Sequence, residues 1–218
     1  MKTKKPKDFS FENFAKSYDS GIAAKGSQKF YNLLLREIEA QPGAALLDVG
    51  CGTGALLKLI AGTYIIKGYG IDAEKNMIAA AQRNCPQMQF SVGVCDKLPF
   101  GDQSFDAVIA CMAYHHFDNK EGFAKEAARV LKPGGILYIA DPRFPWFVRK
   151  TMNGILRLFR VVGEFFKAEE IIARFSHMGF VGIVAVADGY AQVVKLQRNV
   201  RELEFKSYHL TMTARCFE

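Results

Sequence analysis

Leu46-Leu47-Asp48-Val49-Gly50-Cys51-Gly52-Thr53-Gly54 is the stretch on which the fold turns. A short continuous apolar run, Ala44 to Val49, meets three alternate glycines, and Ala55 to Ala61 follows with helical composition, so the simplest reading is strand, tight loop, helix. Open α/β sheets bind ligands at such strand ends, where missing side chains let a ligand approach backbone N–H groups and the start of the helix. The glycine spacing then separates two ligand classes. A dinucleotide site needs G-x-G-x-x-G, whereas this is G-x-G-x-G with an acid two residues before the first glycine. Asp48 would oppose a pyrophosphate and favour an ammonium or sulfonium ion, whose own carboxylate could use the loop amides.

Outward from the loop the chain alternates. Upstream, Phe30, Leu33, Leu34 and Ile38 recur at helical spacing until Pro42-Gly43. Downstream come strands at Gly68 to Ile71, Met88 to Val94, Phe105 to Met112 and Ile136 to Ala140, with helices at Ala73 to Asn84 and Lys120 to Leu131. Strands separated by helices imply βαβ units. After Pro142, one helical face carries Met152, Ile155, Leu156, Phe159, Val162 and Phe166 and the other Arg149, Lys150, Asn153, Arg157, Arg160 and Glu164, which predicts a basic amphipathic helix packed on its apolar side. Glu169 to Met178 reads as a further helix, and Asp188-Gly189 between two apolar runs marks a hairpin. The expected fold is α/β, a doubly wound, mainly parallel seven-stranded sheet with helices on both faces and a C-terminal antiparallel pair. The expected divisions are a tail and arm at 1–26, a domain at 27–198 with a helical cap near 143–168, and an extension at 199–218, where Tyr208, Leu210 and Met212 alternate like an edge strand.

Two further acids stand at strand ends. Asp72, eighteen residues beyond Gly54, occupies the place where dinucleotide folds bind ribose hydroxyls. Asp96 follows the third strand, with Leu98, Pro99 and Phe100 behind it as an apolar wall suited to an adenine. A glycine loop and three carboxylates therefore describe a nucleoside-like cation site. The five cysteines have no CxxC spacing and mostly sit in apolar runs, as in a reduced cytoplasmic protein. No apolar stretch reaches the ~18 residues of a spanning helix.

The formal charge of +7 invites a polyanionic partner until it is divided. Lys2, Lys4, Lys5 and Lys7 supply +4, and Arg143 to Lys167, with six bases against Glu164, supplies +5, which leaves −2 for the body. No nucleic acid is expected as partner.

The blocks LLDVGCGTG (46–54), GIDAEKNMI (70–78), VCDKLPF (94–100), FDAVIACMAYHHF (105–117) and ARVLKPGGILYIADP (128–142) resemble the class I S-adenosylmethionine-dependent methyltransferases, and among them the small-molecule branch that includes ubiquinone and menaquinone biosynthesis enzymes. The resemblance implies S-adenosyl-L-methionine as cofactor. It places Asp48, Gly50, Cys51, Gly52 and Gly54 at the methionine end, Asp72 and Ala73 at the ribose, Asp96 with Lys97 or Leu98 at the adenine, Ala113 beneath the cofactor, and Tyr18 over the methionine end. The reaction it implies is displacement of methyl from a sulfonium, governed by proximity and alignment. An acceptor that must lose a proton would find His115 or His116 at the rim, with Tyr114, His115 and Trp146 as substrate contacts. The acceptor is expected to be a small, partly apolar molecule and the protein a monomer or homodimer. Contact of 143–167 with a membrane ranks behind a packed cap, and no metal is expected, since adjacent histidines lack a third ligand. A cofactor-binding protein without transfer activity and a nucleic-acid methyltransferase stand as alternatives.

Overall fold

The computed structural model describes residues 22–158 and 163–199. Tyr18, the lysine tail and the alternation at Tyr208 to Met212 lie outside them. The strands are β1 (Ala44–Val49), β2 (Ile66–Asp72), β3 (Gln89–Val92), β4 (Phe105–Cys111), β5 (Leu131–Pro142), β6 (Phe180–Asp188) and β7 (Ala191–Arg198). They form one sheet in the order β3-β2-β1-β4-β5-β7-β6. Pairing is parallel from β3 through β5, and β7 runs antiparallel to both β5 and β6. The expected doubly wound sheet with its antiparallel end is therefore present, and Gly189, with φ +59°, turns the hairpin where Asp188-Gly189 signals it.

The helices are α1 (Ile22–Glu37), α2 (Ala55–Ala61), α3 (Lys75–Asn84), α4 (Lys120–Val130), α5 (Trp146–Leu158) and α6 (Ala168–Ser176). Alternate residues of a strand point to opposite faces, and the two layers of core follow from that. Leu46, Ala107, Ile109, Tyr138 and Val193 meet Phe30, Leu33 and Leu34 of α1 and Leu56, Leu57 and Ile60 of α2. Leu47, Val49, Val108, Leu137 and Ile139 meet Phe123 and Ala127 of α4 and Ile171 and Phe175 of α6. α1 also reaches the hairpin, where Lys29 pairs with Asp188 at 3.0 Å and Phe30 meets the edge of Tyr190.

The segment after Pro142 departs from expectation. Its helix runs from Trp146 to Leu158, and residues 163–167 are not helical. Phe166, placed by periodicity on the helix, instead enters the core beside Tyr114. Hydrogen bonds explain the break: Asn153 accepts from Phe165 N and donates to Phe165 O, each at 3.1 Å, and Glu164 N donates to His115 O at 2.8 Å. The backbone of 164–165 is thereby committed to partners outside a helix ladder.

Arg129 fixes the loop that follows β3. Its guanidinium donates to Leu98 O, Phe100 O, Asp102 and Glu126, while Glu126 accepts from Leu98 N at 2.7 Å. A lysine cannot reproduce this fork. Arg129→Lys is expected to lower unfolding stability by about 1–3 kcal/mol in urea titration, in line with loss of several charged hydrogen bonds.

Candidate functional site

The strand order reverses at β1, with β2 and β3 on one side and β4 and β5 on the other. A crevice opens at the carboxyl ends of such strands. Here a cavity of about 730 Å³ lies at that point, lined by the glycine loop, Asp72, Asp96 and the turn after β4.

The loop is built for close approach. Gly50, Gly52 and Gly54 have φ of +78°, +52° and +77°, in the left-handed region that favours glycine. A Cβ on Gly50 would stand 2.6 Å from Ala113 Cβ, whereas one on Gly52 would meet nothing within 4 Å, because Gly52 faces the cavity. Gly54 is turned away from it, against Phe90 and Ala81. The loop amides are already spoken for. Gly50 N and Cys51 N donate to Ile71 O, Gly54 N to Cys51 O, and Gly52 N to Asp72 Oδ2. Each N–H has one proton to give, so these four offer a ligand space and shape rather than the free donors expected of them.

Asp72, at the end of β2, accepts from Gly52 N and Glu74 N, both at 2.9 Å, and so joins the loop to the start of α3. An ionised carboxylate has about four acceptor sites, which leaves capacity for ligand hydroxyls. Ala73 and Glu74 line the cavity beside it. Asp96 accepts from Asn119 Nδ2 at 2.9 Å, and Asn119 in turn caps α4 by accepting from Gly122 N at 2.8 Å.

Other expected residues are elsewhere. Asp48 shares the side of β1 with Leu46 and is buried beneath the loop, off the cavity wall, with Oδ1 unpartnered among the described residues. Burial first, and the Asp72 charge second, push its carboxyl up to about 8. Lys97 is exposed, and Leu98 is in the core with its N–H on Glu126. The apolar wall at that end is made instead by Val94, Ile71 and Met77. Cys51 is buried with its sulfur against Gly70, and burial lifts its thiol far above the ordinary range.

The turn after β4 divides its residues sharply. Met112, Ala113, His116 and Phe117 line the cavity. Tyr114 lies wholly in the core among Phe117, Phe123, Phe166 and Phe175, away from any substrate position. His115 is buried behind His116: its Nδ1 is 2.8 Å from Asp141 Oδ1, its ring stacks on Phe165, and the two imidazole centroids are 4.0 Å apart. Burial raises the Asp141 carboxyl, against the lowering effect of His115. Trp146 stands outside this cavity, on a separate concavity of about 350 Å³ shared with Arg143 and Lys167. Among the described residues no group of three potential metal ligands is found, and no helix is long and apolar enough to cross a membrane.

Sequence reasoning missed Asn119, Met77 and Asp141. Met112 holds φ +54°, which is uncommon for a side chain of its size and is retained where surrounding structure fixes it. Its N–H on Ala140 O, at 2.8 Å, does so here. Asn119 had a usable signal, an Asx residue directly before a helix.

A glycine cradle, an acid at the end of β2 and an apolar-walled cavity stand together at the switch point of a doubly wound domain with the methyltransferase fold. Residues 47–139 match the family model described as a methyltransferase domain. It is 32% identical over 142 residues to a demethylmenaquinone methyltransferase of Chlorobaculum parvum, covering 62% of this chain and 59% of that one. It is 33% identical over 150 residues to a 2-methyl-6-phytyl-1,4-hydroquinone methyltransferase of Synechocystis, covering 67% and 45%. The chain thus spans less than two thirds of either relative. A protein solved in complex with the Haloferax volcanii Trm112 methyltransferase activator shares the fold, with a TM-score of 0.75 at 18% identity over 90% of this chain and 100% of that one.

Two outcomes test this geometry. Gly52→Ala is expected to fold, with a loss of about 1 kcal/mol for its left-handed φ, yet to lose cofactor affinity by calorimetry, while Gly50→Ala unfolds more readily because of Ala113. An acid whose folded pKa exceeds its unfolded value binds more protons folded than unfolded between the two, so Asp48 makes stability fall as pH rises from about 4 towards 8. Asp48→Asn is expected to flatten that fall, with a gain at pH 8 of about 1–3 kcal/mol in denaturant titrations, although Asp141 retains a slope of the same sign.

Proposed function

We propose that this protein transfers a methyl group from S-adenosylmethionine to a small, partly apolar acceptor that lies against Met112, His116 and Phe117. The observation that carries the reading is the continuity of one cavity from Gly52 and Asp72 to Asp96 at one end and to the turn after β4 at the other. The residues suit the cofactor. Gly52 leaves open the space a Cβ would take, Asp72 retains acceptor sites for ribose hydroxyls, Asp96 and Asn119 offer a polar edge, and the buried Asp48 carboxyl, its Oδ1 unpartnered among the described residues, would be drawn towards its ionised form by a cation above the loop.

When bound, the cofactor supplies a methyl on a sulfonium whose leaving group is neutral. What the chain must add is alignment and, for a hydroxyl, amine or carbon acid, removal of a proton. His116 stands on the cavity wall and takes that proton in this reading. His115 and Asp141 serve it from behind. With the Asp141 carboxylate ionised, His115 Nδ1–H donates to it, which fixes the ring against which His116 rests. The apolar wall of Met112 and Phe117 excludes water and matches an acceptor with hydrocarbon character. The hydroquinone and menaquinone relatives make reduced quinones with a free ring position or hydroxyl the first acceptors to try.

The test is transfer of labelled methyl to a panel of hydroquinones and to bulk tRNA, beside calorimetric binding of S-adenosylhomocysteine. Saturable transfer to a hydroquinone is expected, and His116→Ala should lower kcat by about a hundredfold or more with the cofactor's Kd unchanged. Transfer to tRNA in preference to every hydroquinone would overturn the small-molecule reading. Tight cofactor binding with no transfer to any acceptor favours a binding protein instead.

A further inference from the structure

We infer that α5 docks the protein on an anionic lipid surface, its outward face set at the headgroup boundary. A helix that serves only a globular core turns its apolar side chains inward. α5 carries a second set on its outward side. Trp146, Phe147, Ile155 and Leu158 are 60%, 65%, 50% and 78% exposed. Lys150, Thr151 and Gly154 are exposed between them. At about 100° per residue all seven fall on one half of the helix.

The side turned to the body carries Val148, Met152 and Leu156, half-buried, together with two polar anchors. Arg149 is ion-paired with Glu170 of α6, and Asn153 exchanges its two hydrogen bonds with the backbone of Phe165. These contacts fix which way the helix faces and leave Trp146, Phe147, Ile155 and Leu158 uncovered. The sequence around it, Arg143 to Lys167, carries six bases against one acid. Lys150 Nζ lies 5.1 Å from the Trp146 ring, so charge and aromatic share one patch.

Charge and apolarity together select the occupant. A lipid interface accepts Phe147, Ile155 and Leu158 among acyl chains, suits an amphipathic tryptophan at the boundary, and offers phosphates to the lysines. A nucleic acid would use the bases and leave the apolar residues unpartnered. A second copy would bring +5 against +5. The inference does not depend on methyl transfer, but it adds to the proposed function a route by which a membrane-dissolved acceptor arrives. The chain leaves the sheet for α5 just after Asp141 and returns at Glu164, on His115, so the patch belongs to the acceptor side of the molecule.

Trp146 is the single tryptophan of the chain, so tryptophan emission reports α5 alone. The full chain titrated with phosphatidylcholine vesicles containing phosphatidylglycerol should show a blue shift and co-sediment, and both should weaken as salt rises. Pure phosphatidylcholine should bind at least tenfold more weakly. Phe147→Glu, Leu158→Glu and Lys150→Glu should each lower partitioning about tenfold or more, with thermal unfolding midpoints and S-adenosylhomocysteine affinity unchanged. Co-sedimentation without a Trp146 shift, as the lysine tail alone would give, overturns the inference. So does a shift that grows with protein concentration in the absence of lipid, or one that persists undiminished in the Phe147 and Leu158 variants.

Discussion

The parallel pairing of β1 with both β2 and β4 is the constraint on which the molecule depends. A parallel neighbour can be reached only by a crossover that covers one face of the sheet. The chain winds towards β3 on one side of β1 and towards β5 on the other, so no connection closes the carboxyl end of β1. The cavity is the space those departing connections leave. The residues that line it, from Gly52 to Asn119, lie at the carboxyl ends of the first four strands or in the segments that follow them.

Within that opening the loop spends its own amides on its own shape. Ile71 O receives two of them and Asp72 a third, so β2 rather than the ligand dictates the conformation of the turn after β1. Such preorganisation reduces the entropy a ligand must remove on binding. It also ties Asp72 to the loop, and the two cannot move independently. Asp48 represents the opposite tendency, a carboxyl that burial penalises and that a purely structural protein would have no reason to retain.

The sheet was legible because its signals are local. The apolar run before the glycines, the alternation of strands and helices, and Asp188-Gly189 each state their structure within a few residues. Asp72 and Asp96 could be read as strand-end acids for the same reason. What could not be read was orientation and long-range company. Helical periodicity in 146–158 says which residues resemble one another, not which of them face the body; Asn153 and Glu170 decided that. Leu98 went to the core because Glu126 and Arg129, some thirty residues away, took its backbone. The His115–Asp141 pair joins the turn after β4 to the end of β5, and nothing in either segment names the other.

The His115–Asp141 pair bears on how a chain of this fold could diversify. Asp141 is the point from which the chain departs towards α5, Glu164 is where it comes back, and both touch His115. The excursion between them therefore closes on itself at its base. The entropy of closing a loop grows only slowly with its length, so this stretch can be lengthened, shortened or exchanged while its two anchors and the sheet beneath stay as they are. Evolution can exchange this stretch as a replaceable module while the part of the cavity built on Gly52 and Asp72 stays as it is.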